Sequence, residues 1–298
     1  MFHISRLLVS LLESCIFALA FLAFAIAIKL RPKRFCHPMS MHQYVCLLGT
    51  HIPWYGICVG TALLGIGIWM IYNFKKFAMN GDLQNEILFG FPFMVLTGVL
   101  FAFLLDAFFT GDWRTWNSAD VRRMGFTFTG WLLGVLTFLF IYGRFTAFGW
   151  FFLFNMFSPI IALAQGIGRI GCFLGGCCYG RACSWGVCYP KGSMAYERLG
   201  EVTVFPVQLI EAILLIILFA VCLKVVFHYR ACVYLIGVSI VRFNLEFFRG
   251  DMRGSIFGYD YLTPQQWMSV VFALIGIALL FVARKEKNDS LFQMRVRK

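Results

Sequence analysis

The stretch "GWFFLFNMFSPIIALAQGIGRIGCFLGGCC", residues 149–178, decides the fold class of this chain. As a helix it is long and apolar enough to cross a hydrocarbon core about 30 Å thick. It also carries a permanent charge, Arg169, inside a glycine-rich run. An arginine near the centre of a membrane helix costs about 2.5–3.5 kcal/mol to insert, so such residues usually face the protein interior and act there. The stretch therefore predicts a membrane protein with a buried cationic site.

The composition of the whole chain agrees with this location. Of its 298 residues, 60% are hydrophobic and only 13% are charged, which is about half the charge of a soluble domain. We therefore expect an all-α, polytopic transmembrane protein with seven core helices and one extra N-terminal hydrophobic helix. The core segments are 52–73, 87–109, 125–143, 149–178, 205–227, 231–248 and 264–283, and the extra segment is 8–29.

The basic residues orient the predicted core. The net charge of +12 comes mostly from segment ends, where Lys and Arg set membrane orientation and meet anionic head groups. It does not indicate nucleic-acid binding. Placing Lys75, Lys76, Arg144 and Lys224 in the cytoplasm makes the N-terminus of the core external and its C-terminus cytoplasmic.

We divide the chain into three parts on this basis. Residues 1–48 form an extra N-terminal segment and linker, 49–284 form the transmembrane catalytic core with an external loop at about 179–204, and 285–298 form a basic cytoplasmic tail. The basic linker conflicts with the orientation of the core. An added helix or an interfacial one fits the first segment better than a signal peptide, because the apolar run is long for that role.

Polar residues cluster in two places within the apolar core. In the first, Gly168, Gly171 and Gly175 recur at i, i+3 and i+7, with Arg169 beside them and Gln165 one turn earlier. This glycine face permits close approach of another helix or of a lipid head group. The alternative is a packing face whose arginine snorkels to the membrane surface.

The second cluster is "VRFNLEFFRGDMRG" from Val241. Its spacing places Arg242, Glu246 and Arg249 on one helix face, with the carboxylate between two guanidiniums. The alternative is a purely structural ion network. Because guanidinium groups bind phosphate through paired hydrogen bonds, arginines on two separate helices indicate a shared anionic ligand. In a membrane, the commonest such ligand is a phospholipid head group.

Five cysteines lie within or after the first cluster, at positions 172, 177, 178, 183 and 188. Their spacing lacks the C-x2-C pair of zinc sites and has no nearby histidine, so the sequence predicts no metal. Disulfides among the last four, if the loop faces an oxidising exterior, and simple packing thiols stay open. Nothing in the sequence indicates a cofactor.

Five motifs in order resemble those of the prolipoprotein diacylglyceryl transferase family, integral membrane enzymes of bacterial lipoprotein maturation. They are "WYG" from Trp54, "GFTFTG" from Gly125, "GRIGCFLGGCCYGR" from Gly168, "FPVQLIE" from Phe205 and "RFNLEFFR" from Arg242. Their order and spacing hold over about residues 50–283. The resemblance implies a bacterial cytoplasmic (inner) membrane enzyme that moves a diacylglyceryl group from phosphatidylglycerol to the lipobox cysteine thiol of a preprolipoprotein signal-peptide region.

The resemblance also implies roles for individual residues, among membrane lipids and with no nucleic-acid partner. The implied catalytic residues are Arg169, Arg242 and Glu246. The implied substrate-binding residues are Tyr55, Thr129, Cys172, Gly180, Gln208 and Arg249. Two alternative functions stay open: a related phospholipid-dependent transferase with a different acceptor, and a non-catalytic phospholipid-binding or transport protein.

The sequence departs from the family pattern at four positions. Cys172 stands where the family has asparagine, Cys177 where it has an acid, and Thr129 and Phe205 where it has histidines. The loss of histidine puts a histidine general base in doubt. We expect Cys172, Cys177 and Cys178 not to act as catalytic nucleophiles, because the acceptor already supplies a thiol.

Overall fold

A computed structural model of the chain describes residues 44–47, 50–110, 127–250 and 261–288. The predicted first segment at 8–29 and most of the tail at 285–298 lie outside the described residues. The division into an N-terminal part, a core and a tail therefore stays a prediction.

Seven long helices and one short helix make up most of the described chain, which confirms the all-α polytopic class. They are α1 (Trp54–Lys76), α2 (Gly81–Thr110), α3 (Phe128–Phe145), α4 (Trp150–Gly175), α5 (Met194–Leu199), α6 (Val207–Lys224), α7 (Arg230–Glu246) and α8 (Pro264–Asn288). Six of them are long and apolar enough to cross a membrane; α5 and α7 are not among the six. The seven predicted core segments correspond to α1–α4 and α6–α8.

Helix α4, which contains the opening stretch, is the centre of the bundle. It packs against α1, α3, α6 and α7. Of its apolar span 78% is buried inside the protein, against 28–39% for the other five spanning helices. The other five spanning helices therefore present apolar outer faces to lipid, whereas α4 carries its polar residues into the protein interior.

One end of the bundle gathers aromatic and basic residues. The rings of Phe77, after α1, and Phe227, before α7, each lie close to Phe152 near the start of α4, with centroids 5.1 Å apart in both pairs. Helices α1, α3 and α6 all end here on basic residues. The basic segment ends that the sequence assigned to the cytoplasm thus lie at the same end of the bundle.

The opposite end carries a folded loop rather than an irregular one. Strand β3 (Ala182–Cys188) pairs antiparallel with β4 (Thr203–Val204), and α5 lies between them. An earlier hairpin, β1 (Tyr44–Leu47) with β2 (Thr50–Pro53), precedes α1. A small apolar core of Phe173, Tyr179, Tyr189, Ala195 and Val204 joins the loop to the end of α4.

Helix α4 ends three residues earlier than the predicted 178. Gly176 adopts φ +66, the left-handed conformation that commonly caps helices. Its N–H donates to the Phe173 carbonyl at 3.1 Å, and that of Cys177 donates to the Cys172 carbonyl at 3.2 Å. This glycine turns the chain sharply, so Cys177 and Cys178 leave the helix axis and fold back beside it.

Close packing of α2 on α3 depends on glycine. A Cβ at Gly134 would lie 2.5 Å from the Thr97 carbonyl oxygen and 2.8 Å from the Phe101 Cβ, whereas one at Gly65 on α1 would meet no atom within 4 Å. We expect Gly134→Ala to destabilise the protein by about 1–3 kcal/mol through overpacking. Gly65→Ala is the matched control and should leave the stability unchanged or higher. Thermal unfolding in detergent measures both, and equal melting temperatures would contradict the packing argument.

Candidate active site

The Glu211 carboxylate on α6 joins two arginines from different helices. Its Oε2 lies 2.9 Å from Nε of Arg169 on α4, and its Oε1 lies 2.7 Å from Nη1 of Arg242 on α7. All three side chains are almost completely buried. The group of Arg169, Glu211 and Arg242, called the arginine–glutamate triad below, has two positive charges and one negative. The fold thus brings together the two arginines that the sequence predicted to share a ligand.

The prediction that Glu246 lies between the guanidiniums was wrong. Its Oε1 instead accepts a hydrogen bond from the Thr263 hydroxyl at 3.2 Å. Arg242, one turn earlier on α7, bonds instead to Glu211 and Gln265. The helix also ends at Glu246, so the helical spacing to Arg249 does not continue. The carboxylate between the arginines comes from α6, which packs against both α4 and α7.

Sequence reasoning missed Glu211, although a signal for it was present. The residue ends the motif "FPVQLIE" and is a carboxylate inside an otherwise apolar helix. An ionisable residue within a membrane segment is a functional candidate by default, and its partner should be sought on another helix.

Sequence reasoning also missed Gln265, at the start of α8. Its Oε1 accepts from Nη2 of Arg242 at 3.1 Å and from the Thr129 hydroxyl at 3.0 Å. The predicted residue Thr129 is therefore buried at the site, but it reaches Arg242 through this amide. Such a bridge connects α3, α7 and α8, and no spacing within one helix could have indicated it.

Gly180 and Arg249 meet where the chain after α4 crosses the end of α7. The two residues form an antiparallel bridge, and the N–H of Arg181 donates to the Phe248 carbonyl at 2.9 Å. A Cβ at Gly180 would lie 2.3 Å from the Phe205 carbonyl oxygen, so only glycine fits. Gly180 thus permits close packing, while Arg249 is buried near the triad and its charge interacts with Glu211.

Gln208 and Tyr55, both predicted to bind substrate, lie in different parts of the site. The Gln208 Nε2 donates to the Cys177 carbonyl at 2.7 Å and to the Tyr189 hydroxyl at 3.0 Å, so this side chain anchors the loop. Tyr55, 44% exposed, lies at the start of α1 against the glycine face: its Cδ2 would be 3.1 Å from a Cβ at Gly171. Tyr55 thus stands at the accessible rim of the glycine face.

The cysteines divide into three groups. The sulfurs of Cys172, Cys177 and Cys178 all lie within 4.8 Å of one another. Cys183 is also a free thiol, and burial raises its pKa. Cys188 is disulfide-bonded, and its partner is not one of the other four, because none of these is in a disulfide. A disulfide among residues 177, 178, 183 and 188 is therefore excluded.

The chain is similar in sequence to known membrane transferases. The sequence model of the prolipoprotein diacylglyceryl transferase family matches residues 43–282. The chain is 28% identical to the phosphatidylglycerol--prolipoprotein diacylglyceryl transferase of Dehalococcoides mccartyi strain 195, over 70% of this chain and 84% of that protein. It is 29% identical to such a transferase, numbered 2, from Clostridium perfringens strain 13, over 81% and 94%. The corresponding Chromobacterium violaceum protein is 27% identical over 85% and 99%.

The arginine–glutamate triad should stabilise the folded protein. Glu211→Gln leaves two buried guanidiniums without their carboxylate, and breaking a buried ion pair in this way costs about 3–5 kcal/mol. We expect a lower melting temperature and less monodisperse protein on size-exclusion chromatography in detergent. Glu201→Gln, at an exposed position in the loop, is the control and should change stability by less than about 0.5 kcal/mol. Equal stability of the two variants would show that the triad does not hold the helices together.

Proposed function

Because this chain belongs to the prolipoprotein diacylglyceryl transferase family, we propose that it transfers a diacylglyceryl group from phosphatidylglycerol to a cysteine thiol of a prolipoprotein. The acceptor is the lipobox cysteine at the end of a bacterial signal peptide. The reaction takes place in the bacterial inner membrane.

The arginine–glutamate triad is the observation that carries this proposal. A phosphodiester has one negative charge, which balances the triad's formal excess of one positive charge. Arg169 pairs with Glu211 through Nε, so its terminal nitrogens Nη1 and Nη2 are suited to two parallel hydrogen bonds with phosphate oxygens. Burial strengthens these interactions, because the surrounding dielectric is low.

The triad serves the step in which the phosphate leaves. The acceptor thiol loses its proton to water, and its sulfur bonds to the diacylglyceryl carbon next to the phosphate oxygen. The carbon–oxygen bond breaks, and its electron pair leaves with glycerol phosphate. Arg169 and Arg242 stabilise the negative charge that gathers on this leaving phosphate, while Glu211 fixes the orientation of both guanidiniums.

The remaining predicted residues support this arrangement from different positions. Thr129 acts on Arg242 through Gln265, and the buried Arg249 adds positive charge beside the triad. Tyr55 and Cys172 line the open rim, where the head group enters along the glycine face. Glu246 receives no part in the transfer here, because its carboxylate contacts Thr263.

The two ends of the bundle support an orientation in the membrane. Disulfides persist in oxidising compartments, and Cys188 lies in the loop that follows α4. The basic ends of α1, α3 and α6 gather at the other end and favour the cytoplasm. The loop and the active site below it therefore face the exterior, where signal peptides emerge, and the C-terminus is cytoplasmic.

The two arginines give the most direct test of function. We expect Arg169→Ala and Arg242→Ala each to lower transfer by at least about 100-fold, because each removes charge stabilisation from the leaving phosphate. Lysine at either position should restore little activity, since a point charge lacks the paired donors of guanidinium. The assay follows release of glycerol phosphate from phosphatidylglycerol with a lipobox-cysteine peptide.

Arg198→Ala is the matched control for these variants. Arg198 is an exposed cation of the loop, at the end of α5, and its loss should leave the rate within about twofold. Full transfer by Arg242→Ala would contradict the role of the triad. Glycerol phosphate release that does not need the peptide would favour a phospholipid-processing protein with another acceptor.

Cysteine labelling tests the orientation separately from activity. Lys191→Cys, exposed in the loop, should react with a membrane-impermeant maleimide in intact spheroplasts above the wild-type background. Arg144→Cys, at the end of α3, should react only after the membrane is opened. The reverse pattern would invert the proposed topology.

A further inference from the structure

Three thiols converge beside the triad although their spacing in the sequence is irregular. The sulfurs of Cys172, Cys177 and Cys178 lie within 4.8 Å of one another. A tetrahedral Zn²⁺ ion with Zn–S bonds of about 2.3 Å needs its sulfur ligands about 3.8 Å apart, so the cluster needs only small adjustments. All three residues are partly exposed, which leaves an entry path for an ion.

The backbone is shaped to bring these sulfurs together. Gly176 turns the chain at the end of α4, and Cys178 adopts φ +59. A left-handed conformation is uncommon for a residue with a side chain, and such residues concentrate at functional sites. The hydrogen bond from Gln208 Nε2 to the Cys177 carbonyl, 2.7 Å long, holds the turn in place.

The charges around the cluster suit a metal thiolate. Three thiolates and one divalent cation carry a net charge of −1. Arg169 lies close enough for its charge to interact with the thiols of Cys172 and Cys178, and Arg249 interacts with that of Cys178. Thiolate ligands select soft and borderline cations such as Zn²⁺ over Mg²⁺ or Ca²⁺.

We propose that Cys172, Cys177 and Cys178 bind one Zn²⁺ ion, whose open fourth position takes the thiol of the acceptor cysteine. Three protein ligands with one open position is the arrangement of catalytic zinc sites, whereas structural sites have four. The spacing had argued against a metal, but the turn at Gly176 supplies the convergence that a C-x2-C pair would give. The acceptor part of the proposal rests on the proposed function.

At this site the Zn²⁺ ion would activate the acceptor thiol in place of a histidine general base. A thiol bound to Zn²⁺ is deprotonated, and its proton passes to water. The bound sulfur then forms its bond to the diacylglyceryl carbon as the carbon–oxygen bond to phosphate breaks, and the thioether product leaves the metal. Zn²⁺ keeps its oxidation state throughout, and Cys172, Cys177 and Cys178 act as ligands that are never alkylated.

Metal content tests the site without any activity measurement. The protein is purified anaerobically in mild detergent, given ZnCl₂, desalted and analysed by mass spectrometry of the metal. Wild type should retain about one Zn²⁺ per chain, and the Cys178→Ser variant and the Cys172→Asn/Cys177→Glu double variant should each retain less than about a fifth of that. The double variant restores the residue types of the family at both positions, so its fold should be kept.

Cys183→Ser is the matched control, because it removes a nearby free thiol outside the cluster. It should bind Zn²⁺ as wild type does. Size-exclusion profiles and melting temperatures confirm that each variant is folded. Equal Zn²⁺ content in wild type and the folded double variant, or none in wild type, would overturn the site, as would a disulfide between Cys177 and Cys178 in the anaerobic protein.

Co²⁺ in place of Zn²⁺ tests the fourth position. A lipobox peptide with its cysteine should change the visible absorption of the Co²⁺ protein, and the same peptide with serine should not; no change with the cysteine peptide would overturn the acceptor part. The double variant should transfer at least about 100-fold more slowly than wild type, because it loses the route for thiol deprotonation. Zn²⁺ binding by a wild type that shows no transfer would retain the site and reject the proposed function. Transfer at the wild-type rate by the double variant would retain the proposed function and reject the part of Zn²⁺ in the reaction.

Discussion

The carboxylate of Glu211 between two buried guanidiniums is the constraint on which the rest of the structure depends. In a low dielectric, three charged groups are tolerated only when their hydrogen bonds and distances are closely satisfied. The triad therefore fixes how α4, α6 and α7 approach one another. Other parts of the architecture serve this meeting point: α4 is buried along most of its length, and α8 contributes Gln265 to hold Arg242 from the other side.

Glycines on and after α4 let other segments approach this central helix closely. On α4, glycines leave one face open toward Tyr55, and the glycine that ends the helix sends the chain back over it. Gly180 then allows the returning chain to pass against Phe205 and the end of α7. Small residues thus let polar groups from distant segments approach closely, as they do at helix interfaces in membranes generally.

Features that depend on periodicity and composition could be predicted from the sequence. Contacts between side chains of different helices could not. Hydrophobic length was enough for the six helices that can cross a membrane, and the cost of a buried charge was enough to single out Arg169 and Arg242. The same spacing argument chose Glu246, because it sees only residues on one helix. Glu211 and Gln265 act across helix boundaries, and the three converging cysteines depend on a left-handed turn, so none of them has a signature in the local spacing.

The two halves of the site meet on α4. Arg169 and Cys172 are three residues apart, so their Cβ atoms lie about 5–6 Å from each other on neighbouring positions of one helix face. A displacement at carbon needs the attacking sulfur and the leaving phosphate on opposite sides of the reacting atom, within a few bond lengths. A helix that carries the proposed phosphate-binding arginine and a proposed sulfur ligand one turn apart brings the two groups within this distance. In our proposal, a change of the thiol-activating group from histidine to a metal leaves the arginine half of the site untouched, since the two halves share the helix and not the chemistry.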